Sequence, residues 1–168
     1  RICLTEDKYS NPMQPPNFCM LMRKHIQGGR ITAIRQQASE RIIEIDIEAQ
    51  TELGFTTSKR LIVEIMGKHS NIILIDIESG KIIDSIKRIS IDVNRYRQLL
   101  PGVIYVYPPK QDKTPFKSAS AEDFVNSEGV VLSEKLIMNR ISGISPAIAR
   151  ELLSSKEPAA RLAEIVES

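Results

Sequence analysis

Apolar and polar side chains alternate along most of the first half of the chain. Between residues 43 and 48, isoleucine alternates with glutamate or aspartate, which is typical of a strand with one buried face. Residues 72–77 are almost entirely apolar and predict a central strand, and the Glu78-Ser79-Gly80 sequence that follows predicts a hairpin turn. The pattern predicts an antiparallel meander of about five strands, at residues 30–37, 43–48, 61–66, 72–77 and 81–88.

Helical spacing is found on both sides of this meander. Apolar residues recur every three or four positions between Phe18 and Ile26, Pro16 suits a first helical turn, and Gly28-Gly29 suits a helix end. Residues 101–117 contain four prolines and predict an irregular connector with a short extended piece. Beyond it, helices are predicted at residues 121–127, 132–140, 145–154 and 157–167.

The charge of the chain is unevenly distributed. Residues 1–117 hold 18 Lys and Arg against 13 Asp and Glu, whereas residues 118–168 hold 5 against 8. A polyanion should therefore prefer the first part. The charge reversal falls after the connector, so we predict an α+β protein with two domains. Residues 1–117 form an antiparallel β-meander domain with a packed helix, and residues 118–168 form a small all-α domain.

Signatures of enzymes and of metal sites are missing from the sequence. It has no phosphate-binding P-loop, no GxGxxG, no HExxH, and no acid pair marked out for proton transfer. Cys3 and Cys19 lack the spacing of a zinc site, and no apolar run approaches the roughly 20 residues of a membrane span. We therefore expect a binding protein that is not an enzyme, with no metal, cofactor or membrane partner, in the cytoplasm, where its thiols stay reduced.

One turn between predicted helices is similar to a helix–hairpin–helix element. It runs from Ile141 to Ala147 and places Gly143 and Ser145 at a helix N-terminus, where backbone amides could donate hydrogen bonds to a phosphate. The alternative is a plain helical corner that binds nothing, and the acidic balance of this half favours that alternative.

A second candidate phosphate site consists of basic residues from two segments. Arg23, Lys24 and His25 end the first predicted helix, and Lys68 and His69 lie in a turn between strands. If the helix end lies near that turn, the five residues form a basic patch. The alternatives are that Arg23 and Lys24 only complement the helix dipole, that His25 packs in the core, and that His69 only stabilises its turn.

Two further segments predict a binding surface at the ends of strands. Glu64 and Met66 share one face of a strand end, and Ile65 points to the other. Arg41 lies in a turn between strands, where it could reach a phosphate or stack on a base. The alternatives are an ordinary edge for Glu64 and a solvated hairpin tip for Arg41.

Several motifs in a fixed order resemble one family, the NFACT family of RqcH-like ribosome quality control factors, also labelled fibronectin-binding protein A. The likeness covers essentially the whole chain, and its most specific part is the run from Glu64 to Asn71. The motifs are Asn11-Pro12-Met13, Pro15-Pro16-Asn17-Phe18-Cys19, Arg23-Lys24-His25-Ile26, Glu64-Ile65-Met66-Gly67-Lys68-His69-Ser70-Asn71, Lys81-Ile82-Ile83-Asp84 and Leu100-Pro101-Gly102.

The resemblance implies an N-terminal domain related in fold to that of formamidopyrimidine-DNA glycosylases. It implies binding to tRNA and to the 50S ribosomal subunit that still carries peptidyl-tRNA. Family members recruit alanyl-tRNA, so that alanine tails mark the stalled chain for degradation. Some members were first described as fibronectin or fibrinogen adhesins, which is the alternative function. Glycosylase chemistry is not expected, because Arg1-Ile2 offers no proline nucleophile.

The resemblance also implies tRNA-binding residues. The family's Asp-Arg pair matches Glu40 and Arg41, with Glu in place of Asp, and its Glu-Ile-Met element matches Glu64, Ile65 and Met66. With the alternation above, Glu64 and Met66 are expected to face RNA while Ile65 supports them from the core.

Overall fold

A computed structural model describes residues 5–37, 40–51, 53–109 and 112–167. The described residues form two compact units, one made of residues 5–37, 41–51 and 53–108 and the other of residues 40, 109 and 112–167. The second unit therefore begins near residue 109, about nine residues before the predicted boundary at 117/118. The reason is that Thr114–Pro115 pairs with Ile141–Ser142 inside the second unit.

The first unit is built on a five-stranded antiparallel sheet in which every strand pairs with its neighbour in sequence. Its formation confirms the predicted α+β class and the meander, because alternating side chains can bury one face only in paired strands. The strands are β1 (Arg30–Gln36), β2 (Ile42–Gln50), β3 (Thr56–Glu64), β4 (Asn71–Asp76) and β5 (Ile82–Ser85).

Strand β3 lies earlier in the chain than predicted. It begins at Thr56 because Thr56 to Arg60 pair with the second half of β2, although their side chains are mostly polar. It ends at Glu64 because the Met66 amide donates to Ser70 Oγ at 2.9 Å and Gly67–His69 form a turn of 3-10 helix. Ile65 and Met66 therefore lie just beyond the strand.

Helix α1 (Asn17–Ile26) ends at the predicted glycines and packs near β2. A Cβ atom on Gly29 would lie 2.8 Å from both the Glu48 carbonyl oxygen and Ile47 Cγ2, so only glycine allows the chain to enter β1 so close to β2. Cys19 on this helix is a half-buried free thiol, and Cys3 lies outside the described residues.

The main core lies on one face of the sheet. Its buried residues come from four strands and from the segment after β5, which folds back over the sheet, and they are Ile42, Ile62, Ile73, Ile75, Ile82 and Leu99. The Ile89 and Leu99 amides donate to each other's carbonyls at 3.1 and 2.8 Å, which closes a loop at residues 90–98. Met66 and Tyr105 are partly buried against the same cluster.

The second unit contains three helices within the described residues, α2 (Glu134–Arg140), α3 (Pro146–Ser154) and α4 (Pro158–Glu167). The predicted helix at 121–127 is only a 3-10 turn at Ala121–Phe124, closed by a capping box between Ser120 and Asp123. Two short strands, β6 (Thr114–Pro115) and β7 (Ile141–Ser142), pair in parallel. The buried side chains of this unit are Phe124, Leu132, Ile137, Ile141, Leu152 and Leu162.

Gly143, between β7 and α3, is required by its surroundings as well as by its backbone angle. Its φ is +83°, and a Cβ atom there would lie 2.7 Å from Cδ1 of the Phe116 ring. Gly129, by contrast, has φ +76° but open space around it. A side chain would therefore be strained by the backbone angle at both positions, but it would collide with a neighbour only at Gly143.

We therefore expect Gly143→Ala to destabilise the chain more than Gly129→Ala. Both variants carry the penalty of a side chain at positive φ, and only the first must also displace the Phe116 ring, which costs about 1–3 kcal/mol more. Urea unfolding followed by circular dichroism measures the difference. Equal midpoints for the two variants would show that the Phe116 contact adds nothing.

Candidate nucleic-acid interface

Arg41 and Ile65 meet at one end of the sheet. Arg41 directly precedes β2, Ile65 directly follows β3, and the Ile65 amide donates to the Arg41 carbonyl at 2.8 Å. The register of β2 and β3 continues through this bond, so the two side chains are cross-strand neighbours. Arg41 is exposed, and among the described residues its guanidinium has no acidic partner.

The sequence predicts that Glu64 faces outward, but in the structure its side chain is buried. Only 1% of its surface is exposed, and Met66 packs against the main core. Ile65, which was expected to support them from the core, is instead half-buried beside Arg41. The alternation of the three side chains is as predicted, but the face assignment is reversed, because the segment after β5 covers the side on which Glu64 lies.

The buried Glu64 carboxylate is fully satisfied by two residues from that segment. Arg97 donates to both of its oxygens, at 2.7 and 2.5 Å, and the Tyr105 hydroxyl donates to Oε1 at 2.8 Å. Arg97 Nη1 also donates to the Val106 carbonyl at 3.0 Å. Burial and the adjacent Glu64 charge raise the pKa of Tyr105, which keeps its hydroxyl protonated as a donor.

The turn that follows carries exposed basic residues. Lys68 and His69 are both exposed, and the His69 amide donates to the Met66 carbonyl at 3.0 Å. We call Arg41, Ile65, Met66, Lys68 and His69 the strand-end surface, because all five lie where β2 begins, β3 ends and β4 begins. It combines cations with apolar side chains, a combination suited to phosphates and bases.

The predicted patch of five basic residues does not form, because Arg23, Lys24 and His25 lie away from Lys68 and His69. The end of α1 lies at the opposite end of the sheet, where Lys24 and His25 line a groove with Lys59 of β3. Lys59 and Glu64 are five residues apart, which corresponds to about 17 Å along a strand. Burial, Lys59 and Lys24 lower the pKa of His25, so it adds little positive charge there. Arg23 and Lys24 remain exposed at this far end.

Glu44 is a second buried carboxylate that the sequence did not predict, because its alternation with isoleucine indicates a residue on the solvent side of a strand. Glu44 is 1% exposed and accepts hydrogen bonds from the Tyr107 hydroxyl and from Gln37 Nε2, the latter at 2.8 Å. Burial alone would raise its pKa, but these bonds and the nearby Arg60 and Arg35 hold the pKa of Glu44 below its ordinary value. The Tyr105 and Tyr107 rings meet edge to face at 5.0 Å, so the two buried carboxylates share one aromatic support.

The turn in the second unit is explained by packing and capping. Gly143 lies against the Phe116 ring, and Ser145 Oγ accepts from the Ile148 amide at 3.3 Å as the N-cap of α3. These contacts account for both residues without a phosphate. Within the described ranges, no three His, Cys, Asp or Glu side chains are grouped to hold a metal ion. No helix in the same ranges has the length and apolar character needed to cross a membrane.

Comparison with known proteins identifies the family. A family model for NFACT N-terminal and middle domains matches residues 1–167. The chain belongs to the NFACT family. It is 44% identical over 155 residues to the Rqc2 homolog RqcH of Bacillus subtilis, and 39% identical over 153 residues to the protein of that name from Streptococcus pneumoniae. These matches cover 90% of this NFACT chain but only 27% and 28% of the two relatives, so it spans about a quarter of their length.

Solved NFACT-family structures share the fold. The N-terminal part of the fibronectin/fibrinogen-binding protein of Streptococcus suis superposes with a TM-score of 0.81 and 34% identity. That match covers 98% of this chain and 62% of the other. The fibrinogen binding protein of Staphylococcus aureus gives a TM-score of 0.78 at 33% identity, covering 92% of this chain and 59% of the other.

We expect Arg97→Met to destabilise the chain by about 3–5 kcal/mol, because it leaves the Glu64 carboxylate buried without its counter-charge. The double variant Glu64→Leu with Arg97→Met should regain most of that loss, since no buried charge remains. Arg30→Met, which breaks an exposed pair with Glu48, is the matched control and should change stability little. Urea unfolding compares the four proteins, and an Arg97 variant as stable as the Arg30 variant would contradict the expectation.

Proposed function

We propose that this chain is a tRNA-binding module of a ribosome-associated quality control factor, and that the strand-end surface is its tRNA contact. The observation that carries the proposal is that Arg41, beside Ile65, is exposed and that its guanidinium has no acidic partner among the residues that the structure describes. A guanidinium without an acidic partner keeps its full attraction for a phosphate and can also stack on a base. The resemblance to RqcH directs this surface toward tRNA rather than toward another polyanion.

The residues divide into those that touch RNA and those that hold them. Arg41 and Ile65 supply the contact, with Lys68 and His69 as additional phosphate partners. Met66 packs against the main core, so its part in tRNA binding rests on the resemblance alone. Glu64 acts from inside by fixing the end of β3 through Arg97 and Tyr105. Glu40 is half-buried and groups with the second unit, so its part in tRNA binding rests on the resemblance alone.

The wider assignments also rest on the resemblance. They are alanyl-tRNA as the recruited tRNA, the 50S subunit with peptidyl-tRNA as the platform, alanine tailing as the outcome and the cytoplasm as the location. The chain contributes binding to this process and no catalytic step. We leave a phosphate contact at Gly143 and Ser145 out of the proposal, because packing on Phe116 and capping of α3 account for these two residues.

Fibronectin or fibrinogen binding is the second candidate function. It is supported by the descriptions of the Streptococcus suis and Staphylococcus aureus relatives. We rank it second because the exposed residues of the strand-end surface, Arg41, Lys68 and His69, are basic, which suits a nucleic acid. Parallel titrations of the chain with tRNA and with immobilised fibronectin separate the two candidates.

We expect Arg41→Gln to weaken tRNA binding about ten- to a hundredfold, because a charge-assisted hydrogen bond to phosphate is worth about 1.5–3 kcal/mol. The salt dependence of tRNA binding by this variant should also be lower, by an amount that corresponds to about one phosphate contact. Fluorescence anisotropy with labelled tRNA at several salt concentrations measures both quantities.

The matched control is Arg150→Gln, which removes an exposed arginine from the second unit, where its guanidinium is 3.8 Å from Glu134. This variant should bind tRNA like the unaltered chain. Equal affinity for the Arg41 and Arg150 variants would overturn the proposed contact.

A further inference from the structure

The loop at residues 90–98 is largely exposed, and hydrogen bonds within it fix its shape. The Ile89–Leu99 pair closes its base, and the Val93 and Asn94 amides both donate to the Ser90 carbonyl, at 3.1 and 3.0 Å. Asn94 Oδ1 in turn accepts from the Tyr96 amide at 2.9 Å. These hydrogen bonds, one of them to the Asn94 side chain, hold the backbone around Tyr96 in a defined turn.

Two buried contacts fix this loop beside the strand-end surface. Arg97 reaches from the loop to Glu64, which directly precedes Ile65. On the other side, Asn71 donates from Nδ2 to the Lys87 carbonyl at 2.8 Å and accepts from the Lys87 amide at 2.9 Å. Lys87 Nζ then donates to the Lys68 carbonyl at 3.0 Å, which places its charge at the basic turn.

The outward side of the loop is basic and aromatic. Tyr96 is 61% exposed, and among the described residues its ring has no aromatic partner. Arg95 is exposed, and it forms no ion pair within the ranges that the structure describes. In the described part of the chain, the Lys87 ammonium group contacts a carbonyl and no acid, whereas Arg88 is already paired with Asp84 at 2.8 Å. Asp92 is the single acid between residues 86 and 97.

We propose that Tyr96 is a stacking platform for one unpaired RNA base, with Arg95 and Lys87 binding the flanking phosphates. This inference rests on the proposed function and extends its site to a segment outside both matched tRNA-binding elements. An exposed tyrosine ring on a segment that also carries Arg95 and Lys87 is suited to single-stranded RNA, because the ring binds the face of any base while the cations follow the backbone. The same arrangement has no means of reading a base inside a duplex.

The first test uses the 168-residue chain, an RNA hairpin with a single-stranded loop, and a blunt RNA duplex with the same number of phosphates. Tyr96→Ala should weaken binding to the hairpin at least about fivefold and leave duplex binding nearly unchanged. Tyr96→Phe keeps the ring and should bind as the unaltered chain does. Tyr9→Ala is the control, because Tyr9 is 75% exposed in another part of the first unit.

A second readout does not depend on affinity. The chain has no tryptophan, so Tyr96→Trp introduces a single indole fluorophore at the proposed platform. Stacking on a base should quench its emission at saturating hairpin, whereas Tyr9→Trp should show no change. Arg95→Gln should lower the salt dependence of binding by about one phosphate contact relative to Arg150→Gln.

The outcomes separate this inference from the function on which it rests. Unaltered hairpin binding by Tyr96→Ala, or unquenched indole emission from the Tyr96→Trp variant at saturation, would overturn the stacking platform. If Arg41→Gln still weakened binding in the same assay, the strand-end surface would stand without it. An unaltered chain that binds neither tRNA nor the hairpin would overturn both.

Discussion

The buried ion pair between Glu64 and Arg97 is the constraint on which the binding end of this protein depends. A carboxylate that is 1% exposed is stable only when its charge is matched and its oxygens are bonded. Arg97 and Tyr105 meet both requirements, and they come from the segment that folds back over the sheet. The pair therefore ties an irregular segment to the end of β3, and with it the positions of Ile65, Met66 and the basic turn.

That constraint gives the Glu64–Met66 element two different roles. Glu64 points inward and anchors, while Ile65 is paired with Arg41 on the other face. Loss of tRNA binding on changing Glu64 would then reflect a displaced strand end and not a lost contact. The same anchor holds the loop that carries Arg95 and Tyr96, so a single buried pair orients two neighbouring parts of the proposed RNA surface.

Polar residues are also used inside the sheet at a second place. Glu44 is buried against Tyr107, Gln37 and two arginines, and its neighbour Asp46 accepts from Arg35 and Arg60 at 2.6 and 2.7 Å. Such networks are stable only when every member has a partner, and within the described residues no buried side-chain nitrogen or oxygen lacks one. Fixed partners of this kind favour a rigid platform over an adaptable one.

The sequence by itself determined the α+β class, the five-strand meander, helix α1 and most of the later helices. These follow from local periods of two and 3.6 residues and from helix-ending glycines, which need no knowledge of distant residues. It also singled out Arg41 and the Glu64–Met66 element through the family resemblance. Only the tertiary structure decided which face of that element is buried, because the cover comes from Arg97 and Tyr105, more than thirty residues along the chain. It likewise separated the end of α1 from Lys68 and His69, since spacing along the sequence does not reveal at which end of a sheet a helix stops.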